Sequence, residues 1–164
     1  MDFIKTILLL GFIGFLGIWL VNDITANVEK PASLNVFDKF SKEKQSPSDL
    51  IKENQIHVYE DRIVIDLKGA IWSRFTDTNS MDPVFDIGSN GIEIIPNSAD
   101  IINVGDIISY KSEYADGVII HRVIEKGTDE KGTYFIVKGD NNASADPGKI
   151  RFEQIEGILV GILY

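Results

Sequence analysis

Three stretches of this chain have residue types that could do chemistry together. They are a serine in a polar turn, Asn79-Ser80-Met81-Asp82-Pro83, a histidine in an apolar run, Ile120-His121-Arg122-Val123, and an acidic turn, Lys138-Gly139-Asp140-Asn141-Asn142 with Asp146 beyond it. A serine hydroxyl becomes a nucleophile when a neighbouring base takes its proton, and a carboxylate stabilises the imidazolium that results. Each stretch also has a plainer reading. Ser80 beside Pro83 is an ordinary hydrogen-bonding turn residue. His121 among Val118, Ile119, Ile120, Val123 and Ile124 is a core histidine satisfied by its neighbours, and GDNNASAD is a hairpin loop held by side-chain to backbone bonds. His57, in a shorter strand-like run with no serine or acid motif nearby, reads as structural.

Composition removes several other chemistries. The sequence has no cysteine, which excludes disulfides, thiolate zinc sites and a cysteine nucleophile. Two histidines without a His-Glu-x-x-His run, and carboxylates without calcium-loop spacing, lead us to expect neither a metal nor a cofactor. The net charge of -9 over 164 residues and the lack of a basic patch argue against nucleic acid as a partner. Asn142-Ala143-Ser144 matches the glycosylation acceptor pattern, a frequent chance match.

The elements that would position these residues are strands. From Ile56 onward the chain alternates short β-branched runs (IHVYE, RIVIDL, AIWSRF, GIEIIP, DIISY, GVIIHRVIE, TYFIVKG, IEGILVGILY) with turn pairs such as Lys68-Gly69, Asp116-Gly117 and Lys131-Gly132. That pattern predicts a mainly β, antiparallel, hairpin-rich domain over 56–164, with the candidate residues at strand ends and in loops. No strand alternates with a ten-residue helical pattern, which argues against a doubly wound α/β fold. The last apolar run, 158–164, is too short to cross a bilayer and reads as a closing strand.

Residues 7–21, ILLLGFIGFLGIWLV, carry no charge, and counting from Phe3 the stretch approaches the about 20 residues that span a membrane. The pattern predicts a single N-terminal transmembrane helix at 1–22. Lys5 before it and Asp23 after it favour a cytoplasmic N-terminus with the rest of the chain on the extracytoplasmic side. A cleaved secretory signal is the alternative, with Ile24-Thr25-Ala26 as a poor cleavage site. Residues 23–55 are polar and read as a stalk that spaces the domain from the membrane, with a short helix after Ser46 or Ser48, where Pro47 and Asp49 suit a helix start.

Taken in order, the motifs resemble the type I signal peptidases, of the archaeal and endoplasmic-reticulum kind that use histidine where the bacterial kind uses lysine. The matching residues are Ser80-Met81-Asp82-Pro83, Gly105-Asp106-Ile107-Ile108, Ile120-His121-Arg122-Val123, and Lys138-Gly139-Asp140-Asn141-Asn142 with Asp146, within 71–164. The family's serine motif commonly continues Pro-Thr where this chain has Pro83-Val84, and a glycine or serine often stands where Asn79 does. The segment DIGSNGIEIIPNSAD is longer than a simple turn before the next strand.

The resemblance implies that Ser80 is the nucleophile and His121 its general base. Asp146 would be the orienting acid, with Asp140 in a supporting or alternative part. The Ser80 N–H and the Thr78 hydroxyl would serve as oxyanion donors, and Met81 would lie at the substrate subsite. It further implies a membrane-bound serine endopeptidase that cuts signal peptides from preproteins, in contact with membrane lipid and with partner subunits left open. Two other readings stand beside it. One is a non-catalytic, membrane-anchored β module that binds peptides, motivated by the altered serine flanks. The other is a self-cleaving peptidase of the related repressor type, against which the anchor and the histidine count. A lysine base would point instead to Lys111 or Lys138.

Overall fold

The computed structural model describes residues 44–164; the anchor expected at 1–22 and the stalk as far as residue 43 lie outside the described residues. No helix among the described residues is long and apolar enough to cross a membrane.

The Val- and Ile-rich runs form strands because branched side chains fit a pleated, half-buried surface. β1 (Ile56–Val58) and β2 (Ile63–Ile65) pair as a separate two-stranded sheet. The main sheet holds β3 (Ala70–Arg74), β4 (Asn90–Ile94), β5 (Ile107–Lys111), β6 (Val118–Asp129), β7 (Gly132–Lys138), β8 (Ile150–Arg151) and β9 (Ile155–Leu163). Their order is β3-β4-β9-β5-β6-β7-β8, and every pairing is antiparallel. The final apolar run is thus a central strand, inserted between the β3–β4 pair and the β5–β8 meander. Two details differ from the sequence pattern. β6 runs on to Asp129, past its apolar stretch, because Lys126, Gly127 and Thr128 pair with Phe135, Tyr134 and Thr133 of β7. β8 is a two-residue strand, too short to carry a periodicity of its own.

Two apolar clusters hold the sheet. The larger contains Ile102, Ile108, Tyr110, Val123, Phe135, Val137, Ile150 and Ile158. The smaller packs Met81 and Phe85, from the connection between β3 and β4, against Ile107 of β5 and Leu159 of β9, with Ile120 beside them. Fully burying side chains of this size stabilises by about 1.5–3 kcal/mol each. The serine turn is therefore seated on the sheet by its own apolar residues.

The start of the described chain packs on the sheet too. Buried Asp106 accepts the Ser48 N–H on Oδ1 at 2.5 Å, and on Oδ2 it accepts the Asn103 N–H at 2.7 Å and the Ser48 hydroxyl at 3.2 Å. Leu50 lies against the larger cluster. Gly105 has φ of +103°, and a Cβ there would stand 2.3 Å from the Ser46 carbonyl, so only glycine lets this segment approach. The helix expected after Ser46 or Ser48 does not form, since Ser48 is tied to Asp106. One 3-10 turn, Glu53–Gln55, appears instead, just before β1.

Asp106→Asn would turn an amide toward donors that now meet a carboxylate. The expected result is a loss of about 1–3 kcal/mol, read from the denaturant midpoint, with residues 44–50 cut by protease before the sheet unfolds.

Candidate active site

Ser80 sits in the connection between β3 and β4, and bonds from both sides shape its turn. Asp86 Oδ1 accepts the N–H groups of Thr78 at 3.2 Å and of Asn79 at 3.3 Å. Asn79 takes φ of 56°, a left-handed conformation that asparagine tolerates better than most side chains. At the base of the connection Phe75 stacks on Phe85 with ring centroids 4.0 Å apart.

The acidic turn after β7 grips the serine turn from the other side. Asn141 donates its backbone N–H to the Ser80 carbonyl and its Nδ2 to the Asn79 carbonyl, both at 2.9 Å, and the Asp140 N–H meets Met81 Sδ at 3.4 Å. Gly139 makes this approach possible, because a Cβ there would lie 2.6 Å from the Ser80 carbonyl oxygen.

His121 is buried on β6, opposite Ile108 of β5. Its Nδ1 lies 2.5 Å from Asp146 Oδ2. A carboxylate can only accept, so Nδ1 carries the proton and Nε2 keeps its lone pair. Asp146 is placed by its own N–H, which donates to the Val137 carbonyl of β7 at 2.9 Å. Its Oδ2 has a second donor in the hydroxyl of fully buried Tyr110. Burial above all, and then that hydrogen bond, raises the Tyr110 phenol well above its ordinary range.

Ser80 and His121 line one cavity of about 450 Å³, whose wall also includes Thr78, Met81, Phe85 and Ile120. Ser80 Oγ lies 3.1 Å from Thr78 Oγ1, and among the described residues no hydrogen bond joins it to His121. Asp140 is held elsewhere: Arg122 grips it with Nε to Oδ1 at 2.7 Å and Nη2 to Oδ2 at 2.6 Å, while Arg122 Nη1 donates to the Gly105 carbonyl at 2.8 Å. Neither lysine considered as a base lines the cavity. Lys111 pairs with Glu156 at 2.7 Å, and Lys138 donates to the Asn142 carbonyl. His57 faces Asp66 at 3.1 Å on the small sheet. No three imidazole or carboxylate groups among the described residues converge as a cation site.

The sequence reading missed three participants in this geometry. Asp86 lies in a segment noted only for its length, and nothing local marks it as the cap of the serine turn. Arg122 was part of the histidine motif without a stated partner. Tyr110 stood in the apolar run DIISY, where strand parity was the available signal: Ile108 and Tyr110 point to one side of β5, and Ile108 is paired with His121.

No protein-family model matches the chain. The signal peptidase complex catalytic subunit of Eremothecium gossypii is 36% identical to it over 70 residues, 42% of this chain and 41% of the relative. The subunit of the same name from Lachancea thermotolerans is 34% identical over 71 residues, with the same shares of 42% and 41%. The match thus spans about two fifths of the length of these relatives.

Gly139→Ala tests the contact between the two turns. Its methyl group must displace the Ser80 carbonyl, so we expect a loss of about 1–3 kcal/mol in chemical denaturation and amide shifts centred on 78–82 and 139–142. Shifts confined to residue 139 and its neighbours would show that the turns are not coupled there.

Proposed function

We propose that this chain, a relative of the archaeal and endoplasmic-reticulum type I signal peptidases, is a serine endopeptidase with Ser80 as nucleophile, His121 as general base and Asp146 as the acid that orients it. The observation carrying the reading is the single cavity lined by Ser80 and by an imidazole whose Nδ1 is held by Asp146.

With Nδ1 committed to the carboxylate, Nε2 takes the hydroxyl proton as Ser80 Oγ bonds to the scissile carbonyl carbon. The imidazolium then gives that proton to the leaving amine as the C–N bond breaks. Water, deprotonated by the same nitrogen, releases the acyl group and restores Ser80. Substrate closes the gap between Oγ and Nε2, as catalytic hydrogen bonds often tighten only in the complex. Charge on the tetrahedral oxygen would be met by the Ser80 N–H, which without substrate donates to Thr78 Oγ1 at 3.4 Å and turns to the oxyanion in the complex, and by the Thr78 hydroxyl, 3.1 Å from Ser80 Oγ. Met81, Phe85 and Ile120 offer an apolar wall for a small side chain ahead of the cut bond. Asp140 supports the arrangement through Arg122.

The substrate in this reading is the signal peptide of a preprotein. The segment at 1–22 would anchor the chain in the lipid with the β domain on the extracytoplasmic side, raising the effective concentration of a membrane-borne substrate. The relatives are named as subunits of a complex, which supports partner subunits here as well. One observation favours a second reading, a membrane-anchored β module that binds peptides without cutting them: Ser80 Oγ is paired with Thr78 and not with the imidazole.

Preprotein cleavage in liposomes decides between the two. Ser80→Ala should abolish cleavage with an unchanged circular dichroism spectrum, and a variant that still cuts would refute the assignment. Asp146→Ala should lower kcat by about 10³–10⁴-fold and Asp140→Ala by less; the reverse ranking would exchange their roles. Activity should rise with pH as an imidazole loses its proton, and not across the lysine range of about 9–10.

A further inference from the structure

We infer that Tyr110 is a positioning residue of this site, its hydroxyl sharing the Asp146 Oδ2 acceptor with His121 Nδ1 and thereby setting both the carboxylate's orientation and its hold on the imidazolium. The inference deepens the peptidase reading and rests on it.

Tyr110 is on β5 with none of its surface exposed, and His121 is on the adjacent strand β6, opposite Ile108. Tyr110 and Ile108 project to the same side of β5, so hydroxyl and imidazole approach Asp146 from neighbouring strands on one face. Packing does not call for the oxygen, because phenylalanine would fill nearly the same space. A buried phenol needs a partner, and this one is met by the carboxylate that also meets the imidazole. The phenol's raised titration, chiefly from burial, keeps it a donor throughout the working range.

Two donors on one oxygen divide its charge between them. Removing the phenol leaves the whole of that charge to the imidazolium, which is then stabilised more strongly, while the carboxylate becomes free to turn about its bond. The charged groups facing His121 from other elements are few. Asp146 is in contact, and Asp86, Asp116 and Arg74 stand on the cavity wall, with Asp86 engaged by the Thr78 and Asn79 N–H groups.

The test is Tyr110→Phe in the full chain. The imidazole resonances are followed against pH by NMR without substrate, with His57→Gln in both forms so that one histidine signal remains. The titration midpoint of His121 should move to higher pH by about half a unit. In preprotein cleavage the acid limb of kcat should move the same way, kcat should fall about tenfold and KM should hold. A hydroxyl that serves packing alone would lower Tm and leave midpoint and limb where they were, which would overturn the inference. Should Tyr110→Phe fail to fold, Tyr110→Met, also without a hydroxyl but more adaptable in shape, gives the same readout. The titration is independent of catalysis, so the two readings fail separately. A shifted midpoint with no cleavage by the unmodified chain overturns the peptidase and leaves the coupling. Cleavage with an unmoved midpoint overturns the coupling and leaves the peptidase.

Discussion

A carboxylate taken out of water has to be met by donors, and in this fold Asp146 is the group whose partners fix where the strands stand. Its side chain is 14% exposed, its N–H is tied to β7, and its Oδ2 receives groups from β5 and β6. Leaving one of those donors or the acceptor unmatched would cost about 1–3 kcal/mol, a large part of a domain's net stability. Three adjacent strands therefore meet at one residue, two of them at a single oxygen atom. The same requirement gives His121 a defined tautomer, with Nδ1 turned inward and Nε2 left for the cavity.

Around that point the acidic turn performs two separate tasks. Asp140 closes a two-pronged ion pair with Arg122, which in turn reaches the Gly105 carbonyl, and Asn141 donates to the carbonyls of the two peptides that flank Ser80. The serine turn is thus held by main-chain bonds and by Asp86, independently of its hydroxyl. Its apolar members Met81 and Phe85 add burial on the opposite side. The turn's backbone and the Ser80 hydroxyl are consequently held by different groups.

Much of this was legible in the residues because it depends on local pattern. Short β-branched runs pointed to the antiparallel sheet, Asp116-Gly117 and Lys131-Gly132 marked two of its turns, and the serine and histidine motifs carry two side chains that line one cavity. What the pattern hid depends on contacts between distant parts of the chain. A tyrosine in DIISY reads as core until its hydroxyl is found beside Asp146, and an aspartate after Phe85 reads as loop until it caps Thr78 and Asn79. Ser48 looks like a helix start because nothing local reveals the buried Asp106 that takes its N–H. The place of β9 in the sheet order is of the same kind, since periodicity identifies a strand but not its neighbours.

That place has a consequence for the order of events during synthesis. β9 follows the other described strands of the main sheet in chain order, yet it lies between β4 and β5 and is the strand through which the β3–β4 pair joins the rest of that sheet. Until it emerges, the hairpin carrying the serine connection and the meander carrying His121 lack their common neighbour, and β4 and β5 present unpaired edges. Pairings this distant in sequence are slow to close. The nascent chain therefore holds the serine connection and the histidine meander without their shared strand until β9 has been made, and a ribosome-bound fragment lacking β9 has an incomplete sheet behind the cavity.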